Sequence, residues 1–150
     1  VNENPGKSLI FIHIKELKDI KKIISVLEQY NFKDRLRFFA VDEIVDDFKE
    51  VMRKQYPSYK IGLYLPENSD HYNEIEFKDY DFIWADEITI EWINKEKIDL
   101  AHSLGKPFYA ISPELISESI FNSNVKKRWE ELLKLNIDGI CTDFPNEFLR

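Results

Sequence analysis

A chain of 150 residues that is 43% hydrophobic and 14% aromatic holds enough apolar material for one domain with a sizeable core, which excludes a disordered or low-complexity chain. Twenty-eight acidic against 21 basic residues give a net charge of −7, so nucleic acid and an anionic membrane surface are not the expected partners. The lone Cys141 can form no internal disulfide and no Cys/His spacing fits zinc, a usage that agrees with a reducing cytoplasm.

Apolar runs such as Leu9 to Ile12 are far too short to span a bilayer, and the amino end carries no signal-peptide pattern. The sequence opens on Val1 rather than Met, which keeps a processed form or a piece of a longer protein among the readings.

In chain order, the first β-rich run is Ser8 to Ile14. Leu17, Ile20, Ile24, Leu27 and Tyr30 then recur at three-to-four-residue spacing, which predicts an amphipathic helix. A second strand, Arg37 to Val41, leads to a helix over about Asp42 to Lys54 that buries Ile44, Val45, Phe48, Val51 and Met52 and ends before Tyr56-Pro57. After the third strand, Lys60 to Leu65, the polar stretch Pro66 to Asp79 offers only Ile75 and Phe77 for burial and reads as a loop with a short, weak helix. The fourth strand is Asp81 to Ala85. Thr89 is the expected cap of a longer helix through Trp92, Ile93, Ile98, Leu100 and Leu104, stopped by Gly105. The fifth strand is Pro107 to Ile111, and Asn122 or Ser123 opens a helix with Val125, Trp129, Leu132, Leu133 and Leu135 inward. Gly139 to Thr142 closes the series as a sixth strand.

Near-continuous apolar strands alternating with amphipathic helices predict an α/β fold of parallel βα repeats. A complete TIM barrel needs eight strands and roughly 250 residues, so six strands imply an incomplete barrel, or else an open α/β sheet. Two sheet edges are then left open, and self-association or a missing amino-terminal segment is expected to cover them.

In a barrel, function gathers at the carboxyl ends of the strands. That rule selects His13 and Lys15, Asp42 and Glu43, Glu67, Trp84 with Asp86 and Glu87, Ser112 and Glu114, and Thr142 with Asp143. Carboxylates crowded at one mouth repel one another unless a cation neutralises them, which would suit Mg²⁺ or Ca²⁺, with Asp86 and Asp143 as candidate ligands. Taken singly, Asp42, Asp86 and Asp143 each also stand where a carboxylate caps the following helix. Trp84 could stack on a substrate or fill the interior. Trp92 and Trp129 fall on apolar helix faces. His71 and His102 have no Cys or His neighbours at ligand spacing. With four glycines in the chain there is no Walker loop and no G-x-G-x-x-G.

Asp138-Gly139-Ile140-Cys141-Thr142-Asp143-Phe144-Pro145 resembles the last strand of the glycerophosphodiester phosphodiesterase superfamily, a TIM-barrel group in which a strand of the form D-G-I-x-T-D-x-P closes the barrel. The stretch Gly105 to Leu115 is similar to that family's preceding strand, and the order from Leu9 onward matches its third to eighth strands. The resemblance implies a metal-dependent phosphodiesterase of phospholipid metabolism, acting on a glycerophosphodiester. Where the family has I-E-I-K, with a metal-binding Glu and a phosphate-contacting Lys, this chain has Ile12-His13-Ile14-Lys15. The resemblance therefore makes Lys15 and His13 the catalytic candidates, and Trp84, Ser112 and Glu114 substrate-binding candidates. His13 exchanges a hard-cation ligand for an imidazole. The family's H-R-G and E-x-D, carried by its first two strands, have no counterpart here. The implied domain is thus one that lacks those strands and is inactive by itself, with a non-catalytic binding or assembly module on the same scaffold as the alternative.

Overall fold

The structure is a computed structural model and describes residues 8–67, 69, 74–87, 91–112 and 123–148. The elements follow in the order β1 (Ile10–Ile14), α1 (Ile20–Leu27), β2 (Leu36–Ala40), α2 (Val45–Gln55), β3 (Lys60–Leu65), α3 (Glu74–Lys78), β4 (Phe82–Asp86), α4 (Lys95–Ser103), β5 (Phe108–Ile111), α5 (Ser123–Lys134), β6 (Gly139–Cys141) and α6 (Pro145–Phe148), with 3₁₀ turns ahead of α1, β2 and α2. The strands form one sheet in sequence order, β1-β2-β3-β4-β5-β6. The pairs β1–β2, β2–β3, β4–β5 and β5–β6 are parallel. Parallel neighbours in sequence order with a helix after each strand make an incomplete α/β barrel of six strands, as the alternating pattern predicts. Among the described residues no helix is long and apolar enough to cross a membrane.

The chain divides into two compact units, Val1–Tyr64 and Leu65–Arg150. In the first unit the pleat sorts the side chains into two classes. Leu36, Phe38 and Ala40 of β2, Ile61 and Leu63 of β3 and Ile14 of β1 are all buried, and Ile20 and Ile24 of α1 with Phe48 and Met52 of α2 complete this core. The opposite parity carries a different chemistry. Phe11, His13, Arg37, Phe39, Lys60, Gly62 and Tyr64 share the other face, with Phe11 level with Arg37 and Lys60, and His13 level with Phe39 and Gly62.

The second unit repeats the division. Ile83 and Ala85 of β4 and Phe108 and Ala110 of β5 are fully buried on one face, while Trp84, Tyr109 and Gly139, and then Asp86, Ile111 and Cys141, stand level with one another on the other. Gly139 leaves room for a neighbour in this second layer. A Cβ there would meet Cδ1 of Tyr109 at 3.0 Å, a tight contact that the missing side chain spares the tyrosine ring. Gly105 ends α4 with φ of 68°, and Asn136 plays the same part after α5, also with φ of 68°.

Four readings of the sequence are corrected. The first helix does not reach Tyr30, which is 56% exposed and stacks on Phe32 beyond the end of α1. The helix after β4 does not begin near Thr89, which lies outside the described residues. Its cap is Asn94, whose Oδ1 accepts the N–H of Lys97 at 3.1 Å, and Trp92 and Ile93 precede the helix instead of riding on it. On α5, Val125, Trp129 and Leu132 are buried as expected, but Leu133 is 52% exposed, because Arg128 takes a place on the buried face.

Candidate functional site

The site is built first from the carboxyl end of β1. His13 stands on the face of β1 opposite the buried Ile14, and Lys15 follows the last strand residue in a bend. The imidazole of His13 stacks on Phe39, with centroids 4.4 Å apart and planes 19° from parallel, and lies 5.7 Å from the ring of Tyr64. Its Nε2 is buried without a hydrogen-bond partner. Burial, and after it the positive charge of Lys15, hold the His13 pKa below its ordinary 6.5. The ring is therefore neutral near pH 7, partly buried against Phe39 and Tyr64. Lys15 is exposed beyond the strand end.

At the carboxyl end of β4, two neighbouring carboxylates part company. Asp86 continues the parity of Trp84, and both are nearly buried, at 6% and 7% exposure, on the face that also carries Tyr109, whose ring centroid is 6.2 Å from that of Trp84. Glu87 turns to the other side and is fully buried. Its Oε1 accepts the backbone N–H groups of Trp92 at 2.9 Å and Ile93 at 3.0 Å. Arg128 of α5 closes a two-pronged ion pair on it, Nε to Oε2 at 2.8 Å and Nη2 to Oε1 at 2.6 Å, and also donates to the carbonyl of Ile93 at 2.8 Å. Burial works against a charged Arg128, but the hydrogen bonds and charge of Glu87 raise its pKa above the ordinary arginine value. Glu87 thus fastens the end of β4 to α5.

Ser112, at the end of β5, follows the same buried parity. It is fully buried, and its Oγ accepts the indole N–H of Trp129 at 2.6 Å. Glu114 lies outside the described residues, as does His71. After β6, the Oγ1 of Thr142 accepts the N–H of Phe144 at 3.0 Å, and Asp143 is exposed. Asp42 opens a 3₁₀ turn as its first residue instead of preceding it, and Val41 takes the cap position. His102 also has a role that the sequence did not disclose. Its Nε2 lies 2.8 Å from Oδ2 of Asp138, which also accepts the N–H of Phe108 at 2.7 Å, joining α4 to the amino ends of β5 and β6.

Among the described residues, no three His, Cys, Asp or Glu side chains gather as a metal site. His13 and Lys15 belong to the first unit, and Trp84, Asp86, Ser112 and Asp143 to the second. The sequence signal that separates Asp86 from Glu87, and Trp84 from Ser112, is strand parity. Arg128 gave no signal, because a single arginine within an amphipathic helix reads as solvated.

Comparison with known proteins adds a fold. The chain matches the crystal structure of a putative glycerophosphodiester phosphodiesterase from Galdieria sulphuraria with a TM-score of 0.70 at 17% sequence identity, over 94% of this chain. The likeness is one of scaffold. This chain spans 56% of the length of that structure. No family model matches the sequence, and no curated protein matches it.

Proposed function

We propose that this chain is part of a glycerophosphodiester phosphodiesterase-like barrel, that it binds the phosphodiester anion through Lys15, and that by itself it does not hydrolyse it. The observation that carries this reading is the position of Lys15, exposed immediately after the carboxyl end of β1, in a fold shared with the Galdieria structure. An exposed ammonium there can meet a phosphate without displacing a carboxylate, since no ion pair to Lys15 occurs among the described residues.

Hydrolysis asks for more than an anion contact. A group must give or take a proton at the reacting oxygens, and charge on the phosphoryl group must be neutralised. In this reading His13 is a ring of the aromatic layer, stacked on Phe39 with its Nε2 buried. A divalent cation, Mg²⁺ or Ca²⁺, would supply the neutralisation when bound. The described residues offer Asp86 and Asp143 as separate carboxylates and no three-donor set, so no step is routed through a cation.

A second reading, a non-catalytic binding or assembly module, is favoured by one observation. Glu87 and Ser112, two of the polar groups at the strand ends, are both held by α5. The binding reading is tested by titrating glycerol phosphate and glycerophosphocholine into the chain while following amide shifts by NMR. Lys15→Ala is expected to weaken binding of both by about tenfold, the loss of one charge-assisted contact. Unchanged affinity in that variant would remove Lys15 from the site.

A further inference from the structure

The charges of the first unit are sorted along β2. Lys33 and Arg35 stand in the 3₁₀ turn ahead of that strand and Arg37 is its second residue, so three cations crowd its amino end. None of the three makes an ion pair among the described residues. The Lys33 ammonium lies 5.4 Å over the buried ring of Tyr59, and the Arg35 guanidinium 5.5 Å over Phe32. Arg35 Nε donates to the carbonyl of Ser8 at 2.7 Å, and Arg37 Nη1 to the carbonyls of Asp34 at 3.0 Å and Leu36 at 2.9 Å. Rings and carbonyls hold a cation in place without cancelling its charge. Of the acids at this end, Glu28 accepts the Tyr59 hydroxyl at 3.3 Å, and Asp34 is exposed.

The opposite end of β2 is acidic: Asp42 and Glu43 follow the strand, and Asp46 and Asp47 open α2. The five residues of β2 hold its ends roughly 13 Å apart. That exceeds the screening length of about 8 Å at physiological salt, so the amino end keeps a positive field of its own although the chain carries −7 overall. Its shape says what kind of anion it suits. Lys33 reaches toward Tyr59 ahead of β3, Arg35 toward Ser8 ahead of β1, and Arg37 back over the turn, so the three charges fan out over a rim. One phosphate cannot meet all three, and a nucleic-acid strand asks for cations aligned along a groove with free ring faces for its bases. The ring beside them, Tyr30, already stacks on Phe32 with centroids 5.5 Å apart and planes 7° from parallel, and it is 56% exposed. An exposed phenol next to cations is the pairing of an apolar ring and a wet tip that suits a lipid headgroup layer.

We infer that the amino end of β2, with Lys33, Arg35, Arg37 and Tyr30, is a docking face for an anionic lipid surface. The cations meet the headgroups and the Tyr30 ring enters the layer between them. Each lysine or arginine brought to an anionic bilayer strengthens binding about fivefold, so the three act together as a reversible attachment. Docking by this face turns the carboxyl end of β1, with Lys15, away from the surface. The inference rests on the charges at the amino end of β2 and is independent of any ligand at Lys15.

The test sediments the chain with vesicles of phosphatidylcholine alone and of phosphatidylcholine mixed with phosphatidylserine. Binding is expected to the mixed vesicles only and to weaken as salt is raised. Replacing Lys33, Arg35 and Arg37 together by Gln should lower the partition coefficient about a hundredfold. The same change of net charge made in the second unit, at the exposed Lys95, Lys127 and Lys134, should leave it within about threefold, because those residues lie away from the face. If the triple variant at β2 fails to fold, Lys33→Glu keeps the test open, since Lys33 is exposed and meets only a ring. A loss of about twentyfold is expected from it. Equal partition into the two kinds of vesicle, or equal losses from the two triple variants, would overturn the inference. So would a single-stranded RNA that binds more tightly than the mixed vesicles and displaces the chain from them, since that would assign the face to nucleic acid.

Discussion

Protonating His13 in the folded protein would place a charge against the rings of Phe39 and Tyr64 and near Lys15. The unfolded chain meets no such obstacle and takes up the proton near the ordinary pKa of 6.5. Because the folded value is lowered, the unfolded state binds more protons in the interval between the two values, and stability rises with pH across it. The stabilising contribution is whole above about pH 6.5 and is lost as pH falls toward the folded value. The same face of the strands also carries Arg37 and Lys60. Acidification acts on the whole chain, so the diagnostic is a difference between proteins. His13→Phe keeps a ring on Phe39 and removes the titration. Urea denaturation at pH 7.5 and pH 5.5 is expected to show a larger loss of stability on acidification in the parent than in His13→Phe, and equal losses would contradict the assignment.

At the scale of elements, the contact that holds α5 to the end of β4 is a buried ion pair whose every oxygen is used. Glu87 accepts from two backbone amides and from Arg128, 41 residues away. Removing one partner leaves the other charge buried and uncompensated, at a cost of about 3–5 kcal/mol. An exposed pair such as Lys95–Asp99 within α4 contributes a few tenths of that at most. Glu87→Ala is therefore expected to destabilise the chain by several kcal/mol and Asp99→Ala by less than about 0.5 kcal/mol, measured by urea unfolding. Comparable effects from the two would show that Glu87 is not the fastening. The elements themselves were largely legible: all six strands start and end within two residues of their predicted bounds, because buried parallel strands are near-continuous apolar runs flanked by polar ones. The helix ends were less so. Trp92 and Ile93 fit the period of α4, yet their amides bind Glu87, and a tertiary contact of that kind leaves no periodic trace.

For the whole molecule, strand order was legible in the sequence while the division of labour at the strand ends was not. Listing every polar residue at a strand terminus put Glu87 and Ser112 beside Asp86 and Trp84, and parity sends the first two to the helices and the second two to the opposite face. What remains away from the helices is Lys15 and His13 in one unit and Trp84 and Asp86 in the other. Of these, His13 holds its imidazole inside an aromatic stack, and the resemblance that suggests phosphodiester chemistry lacks its H-R-G and E-x-D in this sequence. Loss of an acid–base group alone typically lowers a rate by about a hundred- to ten-thousand-fold, and loss of a charge-neutralising cation adds to that. Residues 1–150 are accordingly expected to give no measurable release of glycerol phosphate from glycerophosphocholine or glycerophosphoethanolamine, with Mg²⁺ or Ca²⁺ present and across pH 6 to 9. A coupled assay for glycerol phosphate checks this. Metal-dependent turnover by residues 1–150 that disappears in Lys15→Ala would mean that these six strands complete a catalytic site without help, and the reading of His13 as a packing ring would fail with it.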